Sequence, residues 1–200
     1  MRLNYELLTD DLCAKCYHII DNFLPQADYE ALVDKATRLN EHGLYQQAKI
    51  GSQADIQQNE QIRTDSIYWI DDKSEEPCTQ AYFNTVNGLA KHLNQSLFLS
   101  LSEFETHFAS YPPGTFYKKH IDQFKTTSNR KISCVYYLND RWSESFGGAL
   151  RLYNPQDALI TQTFPIGNRF ICFKSELPHE VCLTHQTRYS ITGWLKTRAT

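Results

Sequence analysis

The chain has 200 residues, enough for one domain built on a single core, with 41% hydrophobic residues and an ordinary charged fraction. Its formal charge of −3 argues against a nucleic-acid binder, which carries a basic face. No apolar run approaches the roughly 18 residues of a membrane helix, and the acids near Met1 do not suit a signal peptide, so a cytoplasmic protein with no membrane partner is expected.

In chain order, the six cysteines come up first, with Cys13 and Cys16 at zinc-like spacing near His18. A structural zinc site needs four ligands, usually as two such pairs, and the second pair is missing, so plain thiols are expected. Cys134, Cys172 and Cys182 sit in apolar runs and read as small core residues. Asp21 to Pro25 marks a strand ending at a helix start. Ala27, Tyr29, Leu32, Val33, Ala36 and Leu39 then recur at helical spacing, and Gly43 stops the helix. The stretch 44–62 is polar and rich in glutamine. It reads as a long loop, expected to fold over a substrate and to be poorly ordered without one. Arg63 to Ile70 returns to strand, and Glu75 to Leu93 gives a second amphipathic helix.

From Glu103 onward, short strands follow one another: 104–111, 116–122, 131–138, 148–153, 159–163, 169–173, 180–183 and 189–195. Helices precede these strands and none interleave, which excludes a doubly wound sheet. The expected fold is α+β and mainly β, a jelly roll (double-stranded β-helix) with the N-terminal helices packed on one sheet. A single domain over 1–200 is expected, with a helical support region at about 1–100 and the roll at about 101–197.

His120 and Asp122 are two apart in a strand-like segment, so in extended chain they face the same way. The tripeptide alone arises by chance in many chains. His179 in a second strand segment and Arg188 in a third make it specific. Two histidines and one carboxylate occupy one face of an octahedron and leave the opposite positions open, as non-haem Fe(II) oxygenases require. A planar Arg188 guanidinium would match a carboxylate through two parallel hydrogen bonds. Tyr137 faces opposite to Tyr136 and Leu138, so one set faces the pocket and the other the core.

The motifs extend further. They are Ile62-Arg63-Thr64-Asp65 with Trp69-Ile70; Tyr111-Pro112-Pro113-Gly114; Tyr117-Lys118-Lys119-His120-Ile121-Asp122; and Val135-Tyr136-Tyr137-Leu138-Asn139 with Trp142. Gly147-Gly148, Pro178-His179 and Thr187-Arg188 through Trp194 continue the series in order. With these, the chain resembles the prolyl-hydroxylase branch of the Fe(II)/2-oxoglutarate dioxygenases, close to the hypoxia-inducible-factor prolyl hydroxylases and their bacterial relatives. The resemblance implies Fe(II) on His120, Asp122 and His179, with 2-oxoglutarate and O2 as cosubstrates and ascorbate as reductant. Arg188 would bind the distal carboxylate of 2-oxoglutarate with help from Tyr137, and Tyr111 and Thr192 would line that pocket. Arg63, Asp65, Arg130 and Trp194 would hold the substrate.

The implied reaction is 4-hydroxylation of a prolyl residue in a protein or peptide by a monomeric enzyme; for a bacterial member, elongation factor Tu is the expected partner. A hydroxylase of free amino acids or small peptides uses the same core but does not need the long polar loop or the Arg63, Asp65 and Arg130 groove. A nucleic-acid demethylase shares the triad but lacks support from the acidic balance. A non-catalytic jelly-roll metal binder has no reason to pair Arg188 and Tyr137 with the triad. Three features depart from the animal enzymes: the shorter turn at 112–114, the loop at 124–129, and His107 in place of an apolar pocket residue, which bears on 2-oxoglutarate affinity.

Overall fold

The computed structural model describes residues 3–48, 61–123 and 128–198. Three helices come early. Helix α1 (Tyr5–Ala14) opens on Asn4, whose side chain accepts from the Leu7 amide at 3.1 Å, satisfying one orphan donor of the first turn. Sequence reading did not anticipate α1, because only Leu8 and Leu12 are buried along it and two apolar positions make a faint stripe. Helix α2 (Gln26–Glu41) follows Pro25 and buries Tyr29, Leu32, Ala36 and Leu39. It ends as expected at Gly43, whose φ of +64° lets Leu44 N donate to Leu39 O at 2.9 Å. Helix α3 (Pro77–Leu97) starts with proline in its first turn, two residues later than expected, and runs four residues further. No helix of the described residues is long and apolar enough to cross a membrane.

The strands are β1 (Tyr17–Ile20), β2 (Gln46–Gln47), β3 (Ser66–Trp69), β4 (Glu103–Tyr111), β5 (Tyr117–His120), β6 (Arg130–Tyr137), β7 (Leu150–Tyr153), β8 (Leu159–Thr163), β9 (Phe170–Lys174), β10 (His179–Val181) and β11 (Arg188–Lys196). They form a seven-stranded sheet in the order β1-β9-β6-β11-β4-β3-β2 and a four-stranded sheet in the order β5-β10-β7-β8. Among the described residues, every strand pairing in the two sheets is antiparallel. This is the expected jelly roll with helices on one sheet. The division near residue 100 does not separate the parts: β1, β2 and β3 come from the helical half and complete the edges of the larger sheet. Of the expected loop 44–62, residues 46–47 form β2, and 49–60 lie outside the described residues.

Alternation along the central strands sorts side chains into two apolar layers. Phe108, Tyr136, Ile191 and Leu195 face the helices and pack with Leu32, Tyr82, Val86 and Leu89. Ala109, Tyr111, Val135, Tyr137, Ile171 and Phe173 face the smaller sheet and meet Leu150, Leu152 and Val181. Fully burying each large apolar side chain contributes about 1.5–3 kcal/mol, so a one-residue slip of β6 would exchange the layers and be strongly resisted. That register is what turns Tyr137 toward the space between the sheets and Tyr136 away from it.

Candidate active site

Strand β5 ends at His120, and β10 begins at His179, directly opposite it in the register. The two imidazoles lie with centroids 4.2 Å apart. Extended alternation over 116–122 would put Asp122 in the strand; it sits instead in a bend two residues past the end of β5. The bend still brings its carboxylate in: Oδ1 lies 3.6 Å from His120 Nε2 and Oδ2 lies 3.4 Å from His179 Nε2. One ligand atom from each of the three lies within 4.8 Å of the others.

The donor set is also in the right chemical form. His120 Nδ1 meets Lys118 O at 2.8 Å, and His179 Nδ1 meets Leu177 O at 2.9 Å. A carbonyl only accepts, so each Nδ1 carries the proton and each Nε2 offers a lone pair to the common point. Burial pushes the His179 imidazole down to about 4, against the raising effect of Asp122, so it is neutral at neutral pH. Burial alone would raise the Asp122 carboxyl, but His179, His120 and the Ser133 hydroxyl outweigh it and hold the group well below the usual carboxylate range. Ser133 Oγ donates to Asp122 Oδ2 at 2.6 Å and stands 2.9 Å from Ser175 Oγ. Sequence reasoning passed over Ser133; the available signal was a hydroxyl between Ile132 and Cys134 in an apolar strand. These residues fit a divalent iron with three positions left open.

Arg188 opens β11 opposite Tyr111 of β4. It is 1% exposed, a cation taken almost wholly out of water. Its Nε donates to Gly148 O at 3.1 Å and its Nη1 to Ser190 Oγ at 3.3 Å, while the rings of Tyr111 and Tyr137 lie 4.9 and 5.1 Å from its Cζ. No carboxylate among the described residues pairs with it, an expensive arrangement unless an anion arrives. The Tyr137 hydroxyl is buried beside it with no hydrogen-bond partner. Two glycines make the seat: Gly148 has φ of +66°, and a Cβ there would stand 3.2 Å from Arg188 Cδ; at Gly147 a Cβ would stand 2.3 Å from Leu183 O. Thr192 lies four residues along β11 on the same face as Arg188 and Ser190. A dicarboxylate reaching from Arg188 to the triad fits this donor set.

Of the expected substrate residues, Asp65 is fully buried and cannot meet a substrate. Both its oxygens accept from Arg63, at 2.6 and 2.8 Å, so it aims Arg63 instead. The Arg63 guanidinium lies 4.6 Å over the Tyr117 ring, which stacks on His120 at 3.6 Å. Asp65, Arg63, Tyr117 and His120 thus form one column ending on a metal ligand, and Tyr117 is a site residue whose role the sequence did not disclose. The column exists because residues 62–64 pair with the start of β5 and so tie the two sheets together. Asp65→Ala leaves a buried guanidinium without its counter-charge and is expected to cost about 3–5 kcal/mol of folding stability, read as a fall in the urea midpoint; an unchanged midpoint would contradict the buried pair. Arg130 lies 3.5 Å over Trp194 and donates to Glu105 Oε1 at 3.1 Å and to Asp122 O at 3.3 Å, so it braces the metal loop. Trp194 lies beneath it, itself buried. Of the departing loop 124–129, residues 124–127 lie outside the described residues.

His107 is 1% exposed, between Trp69 and Trp194 with ring centroids at 4.9 and 5.5 Å. Burial, then Arg63 and Arg130, push its imidazole down to about 3. Because the folded state resists protonation, the unfolded chain binds the extra proton below about 6.5, and stability falls as pH drops toward 3. Between pH 6.5 and 5 this one group is expected to remove about 2 kcal/mol. His107→Leu should lessen the acid loss by that amount in urea melts; equal losses in both proteins would contradict it.

The sequence profile of the 2OG-Fe(II) oxygenase superfamily matches residues 106–196. A prolyl-4-hydroxylase from Pseudomonas putida is 34% identical in its crystal structure, covering 97% of this chain and 99% of that one, with a TM-score of 0.86. A prolyl hydroxylase from Trichoplax adhaerens, solved with a hypoxia-inducible-factor oxygen degradation domain peptide fragment, is 27% identical over 96% of this chain and 88% of that one, also with a TM-score of 0.86. Human prolyl hydroxylase EGLN3 is 29% identical over 97% of this chain and 86% of its own length.

Proposed function

The chain belongs to the 2OG-Fe(II) oxygenase superfamily, and from that we propose that it hydroxylates a prolyl residue of a protein at C4. The observation that carries this reading is the buried, carboxylate-free Arg188 beside a triad of two histidines and one carboxylate. Fe(II), with 2-oxoglutarate and O2, supplies the oxidising chemistry: one oxygen atom enters the substrate C–H bond, the other enters the succinate formed as 2-oxoglutarate loses CO2. His120, Asp122 and His179 would hold the ion. Arg188 and Tyr137 bind the distal carboxylate, and Tyr111 packs against the Arg188 guanidinium so that the cosubstrate lies in one orientation. Val135, Ile171 and Phe173 belong to the buried apolar layer on this side of the sheet, an environment that favours exclusion of water.

The substrate groove lies where Arg63 and Arg130 approach the triad, and a protein strand rather than a free amino acid is the occupant we propose. The peptide bound to the Trichoplax relative supports this reading. Elongation factor Tu is the partner we propose for a bacterial setting, on the resemblance to bacterial prolyl hydroxylases. We place the enzyme in the cytoplasm as a monomer, with ascorbate serving as an external reductant; all six cysteines are unpaired thiols, which suits a reducing compartment. The test presents the Fe(II) protein and 2-oxoglutarate with purified elongation factor Tu, short proline-bearing peptides and free proline, followed by mass spectrometry. Hydroxylation of the protein at a single proline, with free proline untouched, is expected. Turnover of free proline in preference to any peptide would overturn the assignment of substrate class.

A further inference from the structure

Among the described residues, three buried polar side chains on the site face of the larger sheet have no hydrogen-bond partner at a ring nitrogen or hydroxyl: Tyr137, His107 and Trp194. The proposed function uses the Tyr137 hydroxyl at the distal carboxylate and leaves His107 and Trp194 unused. An imidazole with both nitrogens buried and unpaired costs stability, so its persistence points to a ligand that satisfies it.

The register fixes where that ligand would be. His107 lies four residues from Tyr111 along β4, roughly 13 Å from the Arg188 end. It stands opposite Thr192, which stands opposite Val135. Two residues on from Val135 along β6 is Ser133, which holds Asp122, and Ser133 stands opposite Trp194. His107 and Trp194 are therefore at the metal end of the pocket. Their rings are 5.5 Å apart, and the Arg130 guanidinium, which also donates to Asp122 O, lies 3.5 Å over the Trp194 ring.

Resting on the proposed function, we propose that His107 and Trp194 bind the metal-chelating end of 2-oxoglutarate, each donating a ring N–H to its carboxylate. A neutral imidazole has one N–H to give and an indole has only its N–H, so the pair suits an acceptor with two oxygens. The subsite fastens the cosubstrate at both ends, through Arg188 and Tyr137 at one and through this pair at the other.

The experiment is titration of the anaerobic Fe(II) protein with 2-oxoglutarate, following the charge-transfer absorption of the chelate, with thermal melts of the same samples before the cosubstrate is added. His107→Leu removes the donor and keeps the volume; His107→Gln keeps a donor; Trp194→Phe removes the indole N–H. With one charge-assisted hydrogen bond lost, His107→Leu is expected to bind roughly ten- to hundredfold more weakly and Trp194→Phe to a similar degree, while His107→Gln stays within about threefold of the parent. Before 2-oxoglutarate is added, His107→Leu should melt no lower than the parent, since an unsatisfied polar group has become apolar. Parent-like affinity in His107→Leu, or equal losses in His107→Leu and His107→Gln, would overturn the subsite while leaving the proposed function standing. A parent protein that shows no 2-oxoglutarate binding would instead remove the proposed function itself.

Discussion

Arg188→Ala is expected to bind 2-oxoglutarate roughly 100- to several-thousand-fold more weakly than the parent. The guanidinium is 1% exposed and is oriented by Gly148 O and Ser190 Oγ. Removing it leaves the distal carboxylate buried without a counter-charge, and breaking a buried pair in this way costs about 3–5 kcal/mol. Arg188→Lys should recover part of the loss, since an ammonium restores the charge but not the two-pronged geometry. Tyr137→Phe removes one hydrogen bond to a charged group, about 1.5–3 kcal/mol, and so should weaken binding less than Arg188→Ala does. Iron affinity should hardly change in any of them, because none contacts the triad. Anaerobic titration measures all three, and parent-like binding by Arg188→Ala would sink the cosubstrate assignment.

Alanine at His120, Asp122 or His179 is expected to abolish turnover and stoichiometric iron binding, since each removes one of only three protein ligands. The fold should survive, because the core clusters do not include these side chains. Asp122→Glu should fail as well, because the extra methylene moves the oxygen off the shared face. Metal content after dialysis and far-ultraviolet dichroism separate these effects. A variant that keeps full turnover would remove its residue from the metal site.

Strand alternation made most of the β-architecture legible: β4 to β11 fall within a few residues of the expected segments, and Tyr137 takes the inward face. Period-two patterns survive because one face of each strand must be buried. Helix α1 escaped because two leucines carry its burial. The site was legible in its ligands and in Arg188, where residue type dictates chemistry. Its support was not. Asp65 could not be separated from a surface acid by type, because its burial depends on residues 62–64 crossing to β5. The same crossing stacks Tyr117 between Arg63 and His120. His107 was visible as a polar residue where an apolar one was expected, but its lack of partners is a property of the packed sheet.

In the proposed reaction, oxidation of the cosubstrate is coupled to oxygen insertion at proline. The most direct test incubates the protein with a proline-bearing protein substrate under labelled O2 and measures succinate and hydroxyproline together. Equal amounts of succinate and 4-hydroxyproline are expected, with the label in the hydroxyl group and neither product without Fe(II) or from Arg188→Ala. Hydroxyproline formed without 2-oxoglutarate, or succinate formed with no change in any prolyl residue, would contradict the account.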